Sequence, residues 1–280
     1  MFTLAGTCLA CFCSLTLLQA QVIVTYPDLN PTGVAEGVTA TPLNTTGSSL
    51  PDLEIYEGLI ETEPVADSTS AALAVDYDQF FQFTLTPGAN RKLDLGVVTF
   101  EADYEDAGSP RGWVLRSSID GFSTDLASEE VWTEHPVLSF FSIRLPEDQF
   151  LGLTEPVTFR IYTYASGGGD RILDFDNIQV LGTVDMPPRI LLRGPTKVRT
   201  SKPRYRVRGF AYDDDRVARV LANGKVLRGK DYWTTTVRVR ARTTKVRFYA
   251  IDSAGLVSRQ VLFRVIRAPR AGRNKPINFL

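Results

Sequence analysis

Cysteine is confined to the start of this 280-residue chain: Cys8, Cys11 and Cys13 are its only three. Nothing beyond residue 13 can close a disulfide, ligate a metal through a thiolate or serve as a thiol nucleophile. Histidine is nearly missing as well. His135, directly before Pro136, is the only one, and it reads as a loop residue. A Ser/His/Asp relay would rest on that single side chain. No Gly-x-Ser-x-Gly element, phosphate loop or zinc spacing occurs. Helical periodicity is scarce. After residue 18 no apolar run approaches the ~20 residues that cross a bilayer, so no membrane span is expected. These absences argue against the common catalytic classes and for a non-enzyme.

The first segment is of a different kind. Phe2 to Leu18 is apolar and carries no charged side chain. It is short for a membrane span and ends near small and polar residues at Gln19-Ala20-Gln21. Residues 1–20 therefore read as a signal peptide cleaved after about Ala20, although Lys and Arg are missing ahead of the apolar run. The rival is lipidation at Leu9-Ala10-Cys11, for which Cys11 lies too early. The expectation is a secreted or cell-surface protein whose mature chain has no disulfide, which fits a bacterial surface protein.

Net charge at pH 7 is −1, but this mean conceals a split. Residues 1–185 carry 7 Lys/Arg against 27 Asp/Glu, a net of −20, and residues 186–280 carry 24 against 5, a net of +19. Two units with separate electrostatic roles follow. The break falls at Asp185-Met186-Pro187-Pro188, read as a linker over 185–188.

Both halves show the all-β signature of short runs with period-two alternation between turn residues. Residues 27–70 are rich in Pro, Thr, Ser and Gly and predict loops and short edge strands. Phe81, Phe83 and Leu85 share one face of the next strand. Leu93 and Leu95 are in one phase and Val98, Phe100, Ala102 and Tyr104 in the other, so a β-bulge is expected at Gly96. Trp113 and Leu115, then Val157, Phe159 and Ile161, mark further inward faces. A second slip is expected at Asp176-Asn177. Beyond the linker, strands are predicted at Tyr205–Ala211, Val217–Leu221, Thr235–Ala241, Val246–Ile251 and Val261–Ile266. Asn223-Gly224 predicts a hairpin turn. The fold class is an N-terminal jelly-roll-like β-sandwich over 21–184, an immunoglobulin-like β-sandwich over 189–267, and a flexible basic tail over 268–280.

Two resemblances accompany this reading. Pro187-Pro188, Arg206–Asp214, Val217–Gly224, Trp233 and Ala250–Val257 follow the pattern of bacterial Ig-like domains, which residues 187–267 resemble. That resemblance implies a spacer or adhesive module with no catalytic position. Phe80–Pro87, Gly112–Leu126, Val157–Tyr164 and Leu173–Val184 are similar to a repeated extracellular domain of Planctomycetes- and Verrucomicrobia-like bacteria. It implies a jelly-roll sandwich without an established activity. A C-terminal sorting helix common in that group is not read in residues 268–280.

Four sets of side chains are candidates for chemistry. Arg204, Arg206 and Arg208 alternate along one strand and Arg238, Arg240 and Arg242 along another. In an immunoglobulin-like sandwich those strands are neighbours, so six arginines would share one face and favour an anion there. Arg160, Tyr162 and Tyr164 share a strand face and form a candidate glycan platform, unless the tyrosines pack beneath a loop. Asp174 and Asp176 could hold a structural Ca2+, the one cofactor considered, against a plain bulge at that point. Same-face carboxylates such as Glu101/Asp103 and Asp174/Asp176 keep a glycoside hydrolase reading open, though a solvated acidic face has the same pattern. Ser166–Asp170 reads as a hairpin loop and Asp213-Asp214-Asp215 as a solvated turn. The expected partner is an extracellular or cell-surface glycan or polyanion. Self-association of the acidic and basic halves is the alternative, and nucleic acid is not expected.

Overall fold

A computed structural model describes residues 20–51, 53–104, 110–165, 171–214 and 216–269. The expected signal peptide up to Gln19, the Ser166–Asp170 loop, Asp215 and the tail from residue 270 lie outside the described residues. In chain order the first half forms β1 (Gln21–Tyr26), β2 (Val38–Ala40), β3 (Glu54–Tyr56), β4 (Leu59–Thr62), α1 (Ala71–Asp76), β5 (Phe80–Pro87), β6 (Lys92–Tyr104), β7 (Arg111–Ser117), β8 (Ala127–Val131), β9 (Ser139–Arg144), α2 (Glu147–Phe150), β10 (Val157–Ala165) and β11 (Leu173–Asp185). The second half forms β12 (Arg189–Leu192), β13 (Lys197–Thr200), β14 (Arg204–Tyr212), β15 (Val217–Ala222), β16 (Lys225–Val226), β17 (Tyr232–Arg238), β18 (Thr243–Asp252) and β19 (Val261–Arg267).

The first sandwich packs the sheet β3-β4-β11-β6-β9, with β1 also on β11, against the sheet β2-β5-β10-β7-β8. From β8 to β11 every connection changes sheet, the jelly-roll pattern. The alternation read from the sequence is the cause. Phe81, Phe83, Leu85, Trp113, Leu115, Phe159 and Ile161 point between the sheets and are fully buried. Phe100 sits at the centre, with its ring centroid 4.8 Å from Trp113, 5.5 Å from Phe141 and 5.7 Å from Phe175. Such aromatic pairs contribute ~0.5–1.5 kcal/mol each beyond burial. The phase slip in β6 is a bulge at Gly96: Leu95 opposes Gly182 while Val97 opposes Leu181. The slip in β11 is a second bulge after Asp176, with Asn177 in the left-handed region at φ 55°.

The short helix α1 was not legible, because six residues make too few turns to show a period. Ser70 caps it by accepting a hydrogen bond from the Leu73 amide. It lies over the outer face of β5, β10 and β7, where Ala74 packs with Phe80, Val114, Tyr162 and Tyr164.

The second sandwich packs β12-β14-β17 against β13-β19-β18-β15-β16. The β12–β13 segment divides between the sheets: β12 pairs antiparallel with β14, and β13 pairs parallel with β19. This split and the three-plus-five arrangement are those of an immunoglobulin-like sandwich. Trp233 stacks on Phe248 at 4.8 Å in a core completed by Val207, Val220, Phe263 and Val265. Asn223 and Gly224, at φ 48° and 81°, make the β15–β16 hairpin turn.

Gly209 shows how tightly that core is closed. A Cβ at this position would overlap both the Trp233 ring and the Leu191 backbone oxygen. Neither can withdraw without disturbing the core or the β12–β14 ladder. Gly209→Ala is expected to destabilise the protein by about 1–3 kcal/mol. Urea unfolding of the variant beside the wild-type chain measures this.

Candidate binding face

The outer face of β12-β14-β17 is built by alternation. In β14, Tyr205, Val207, Gly209 and Ala211 face the core, which turns Arg204, Arg206, Arg208, Phe210 and Tyr212 outward. In β17 the inward Trp233, Thr235 and Val237 turn Tyr232, Thr234, Thr236 and Arg238 outward. The two strands pair as expected, but in a register the sequence did not reveal. Arg204 stands opposite Arg238, Arg206 opposite Thr236, Arg208 opposite Thr234 and Phe210 opposite Tyr232.

This corrects the picture of six arginines in one block. β17 runs from Tyr232 to Arg238, earlier than the predicted strand Thr235–Ala241, so Arg240 and Arg242 lie beyond its end. The Val239 amide still bonds the Pro203 carbonyl, so alternation carries on far enough to leave Arg240 exposed. Arg242 belongs to the crossover toward the other sheet, where its carbonyl accepts from the Arg267 amide. The predicted boundary slipped because Val237, Val239 and Ala241 continue the period without a break. Threonines, not arginines, oppose Arg206 and Arg208, and this relieves most of the like-charge repulsion expected across the strands.

The sequence reading also missed the aromatic end of the face. Leu191 of β12, Phe210 of β14 and Tyr232 of β17 form one row across the three strands. Tyr212 stands one row on, opposite Arg189. These four apolar side chains are 44–54% exposed, and the Phe210 and Tyr232 rings lie 5.3 Å apart. The face is thus basic at the Arg204–Arg238 end and aromatic at the Phe210–Tyr232 end. At about 3.3 Å per residue the nine-residue strand β14 spans ~26 Å. The signal was present in Arg-x-Phe-x-Tyr, since alternation places Arg208, Phe210 and Tyr212 on one side.

The candidate glycan platform on β10 is not open. Tyr162 and Tyr164 are 2% and 6% exposed, beneath α1. Arg160 lies with its guanidinium 4.0 Å from the centroid of the Phe80 ring and 3.9 Å from that of Phe122, and it donates to Gln82 Oε1 at 3.0 Å. Its surroundings are those of a side chain that pins the Phe122 loop to the sheet. The expectation of exposed rings here is therefore corrected: the helix that covers them was invisible in the sequence.

Asp174 and Asp176 do share the outer face of β11, and β6 brings the other carboxylate pair against them. Asp174 stands opposite Asp103, and Asp176 opposite Glu101. Asp103 and Asp174 are buried at 0% and 2% exposure, while Glu101 and Asp176 are half-buried. His135, read as a plain loop residue, places Nδ1 3.2 Å from Asp103 Oδ2. Among the described residues, Asp103, His135 and Asp174 are the group with the composition and spacing to hold a metal ion. No helix among the described residues is long and apolar enough to cross a membrane.

Comparison with known proteins adds little. No family model matches the chain, and no curated protein matches it. Among solved structures it is similar to the fibronectin(III)-like modules of Clostridium thermocellum CbhA, at 14% identity over 70% of this chain and 92% of that one, with a TM-score of 0.26. The cleaved adhesin domain of Lys-gingipain from Porphyromonas gingivalis aligns at 15% identity over 52% of this chain and 91% of that one, with a TM-score of 0.30. TmCBM61, solved with β-1,4-galactotriose, aligns at 12% identity over 53% of this chain and 90% of that one, with a TM-score of 0.28. Similarity at this level carries no argument about ligand or activity.

One group beside the face titrates abnormally. Asp213, directly after β14, has its carboxyl pushed up to about 7. Burial is the largest cause, followed by the hydrogen bond with Asp214 and the charges of Asp214 and Asp252. Because the folded state holds this proton more tightly than an ordinary carboxyl at 3.8 does, it binds more protons than the unfolded chain between pH ~4 and ~7. Stability from this group is thus present at low pH and falls as pH rises through that window. Asp213→Asn keeps an acceptor for the Arg216 amide, which Asp213 Oδ2 now receives at 3.1 Å. The variant is expected to lose less stability than wild type between pH 5 and pH 8, as read by denaturant unfolding at both values.

Proposed function

We propose that this protein is a non-catalytic extracellular binding module whose basic sandwich holds an acidic polysaccharide across the outer face of β12-β14-β17. The observation that carries the reading is the adjacency of arginines and exposed aromatic rings on one open sheet face. A bare polyanion site needs only positive charge, and a neutral-sugar site needs only rings. A polymer of sugars bearing carboxylate or sulfate groups uses both. Its ring faces pack on Phe210, Tyr232 and Tyr212. Its anionic groups take charge-assisted, often bidentate hydrogen bonds from Arg204, Arg206, Arg208 and Arg238. The +19 charge of residues 186–280 adds long-range attraction.

The alternative partner is the acidic half of a second copy. The charge split supports that reading, but the exposed aromatic row has no part in it.

Affinity chromatography and calorimetry of the full chain on heparin and alginate test the proposal. Retention is expected to fall as salt rises. Arg204, Arg206 and Arg208 changed together to Gln should weaken binding by at least about tenfold, or ~1.4 kcal/mol, and flatten the salt dependence. Phe210→Ala with Tyr232→Ala should weaken binding at every salt concentration. Absence of retention at low salt sinks the proposal, and so does binding to any polyanion, DNA included, that ignores loss of the aromatic pair. Salt-sensitive dimerisation by light scattering without polysaccharide binding would favour the second reading.

A further inference from the structure

We propose that Asp103, His135 and Asp174 form a site for a divalent transition-metal ion, with Zn2+ as the preferred ion. The site lies on the first sandwich and is independent of the basic face.

Asp103 of β6 and Asp174 of β11 are direct cross-strand neighbours, and both are buried. Two further acids extend the row. Glu61 of β4 pairs with Asp174, and Glu54 of β3 pairs with Glu61. Four adjacent strands therefore present Glu54, Glu61, Asp174 and Asp103 in line. The row is most deeply buried at the Asp174–Asp103 end.

An imidazole is held at that end. The His135 amide donates to the Tyr104 carbonyl at 2.9 Å, and the Tyr104 amide donates to the Thr133 carbonyl at 3.2 Å. The loop after β8 is thereby fastened to the last residue of β6, next to Asp103. His135 Nδ1 is itself buried and has no hydrogen-bond partner, although Asp103 Oδ2 lies 3.2 Å away. Nitrogen and oxygen are adjacent without the alignment of an N–H donor aimed at its acceptor.

The spacing suits a metal. One ligand atom from each of the three side chains lies within 4.8 Å of the other two. With metal–ligand bonds of about 2.0–2.2 Å, the ligand atoms of a tetrahedral zinc ion stand ~3.4 Å apart. The 3.2 Å His135–Asp103 separation is close to that value, and a ligand atom of Asp174 lies within 4.8 Å of both. One nitrogen and two carboxylates favour zinc over calcium, which takes 6–8 oxygen ligands. The His135 side chain is partly exposed, so the remaining coordination position faces water.

The test uses the full chain carrying Cys8→Ser, Cys11→Ser and Cys13→Ser, whose thiolates would otherwise take zinc themselves, stripped with chelator and titrated with ZnCl2, MnCl2 and CaCl2 by calorimetry. One Zn2+ per chain is expected, together with a thermal midpoint that rises with zinc concentration. His135→Ala should weaken zinc binding at least tenfold, and Asp176→Asn should leave it within about twofold. Loading the same chain with Cu2+ and recording its electron paramagnetic resonance gives a readout that needs no change at the site, with nitrogen coupling from one imidazole as the expected signature. No stoichiometric zinc uptake, uptake unchanged by His135→Ala, a copper spectrum without nitrogen coupling, or preference for Ca2+ would each overturn the proposal.

Discussion

Every second side chain along these strands is committed to a core, and in a pleated strand that commitment decides where its neighbours go. Val207 and Gly209 face Trp233, so Arg206, Arg208 and Phe210 must face out. Phe100, Ala102 and Phe175 fill the first core, so Glu101, Asp103, Asp174 and Asp176 must leave it. The charged faces are therefore consequences of burial. Where the alternation has to change phase, at Gly96 and at Asn177, a bulge takes up the extra residue and the inward set is preserved.

What happens to an outward face then depends on what is laid over it. Three outcomes occur in this one chain. On β5-β10-β7 the outward row carries Phe80, Tyr162, Tyr164 and Val114, and α1 closes over it into a small second core. On β11-β6 the outward row carries acids, and the loop bearing His135 is fastened beside it, so that a partly exposed imidazole meets buried carboxylates. On β12-β14-β17 no described element covers the face, and its arginines and aromatic rings remain open. Chemistry follows from this difference in cover. Aromatic rings in a closed layer add stability, whereas the proposed metal site and the proposed polysaccharide face both rest on side chains that no such layer covers.

The strand pattern, both bulges and the Asn223-Gly224 turn were legible, because each rests on period-two burial or on local backbone preference, while the adjacency of β14 and β17 followed from the resemblance to immunoglobulin-like domains. The boundary of β17 was not, since Val237, Val239 and Ala241 keep the alternation going after the ladder has turned toward the other sheet. Helix α1 was hidden by its length. Residues 103, 135 and 174 were each visible, yet Asp103 and Asp174 were read as members of separate pairs on their own strands. The cross-strand register that pairs Asp174 with Asp103, and the backbone bonds that hold His135 beside them, link positions 32 to 71 residues apart.

By itself the sequence determined the all-β class, the direction of most side chains and the separation of negative from positive charge. All of these depend on composition or on neighbours two residues apart. Tertiary structure alone decided which outward faces stay open, since cover comes from segments remote in the chain. It also decided which charges meet, because strand register is set where whole sheets pack and not where the residues are written. Tyr164 and Tyr212 share the same local pattern, four residues after an arginine with an aromatic ring between, yet one lies under a helix and the other in solvent.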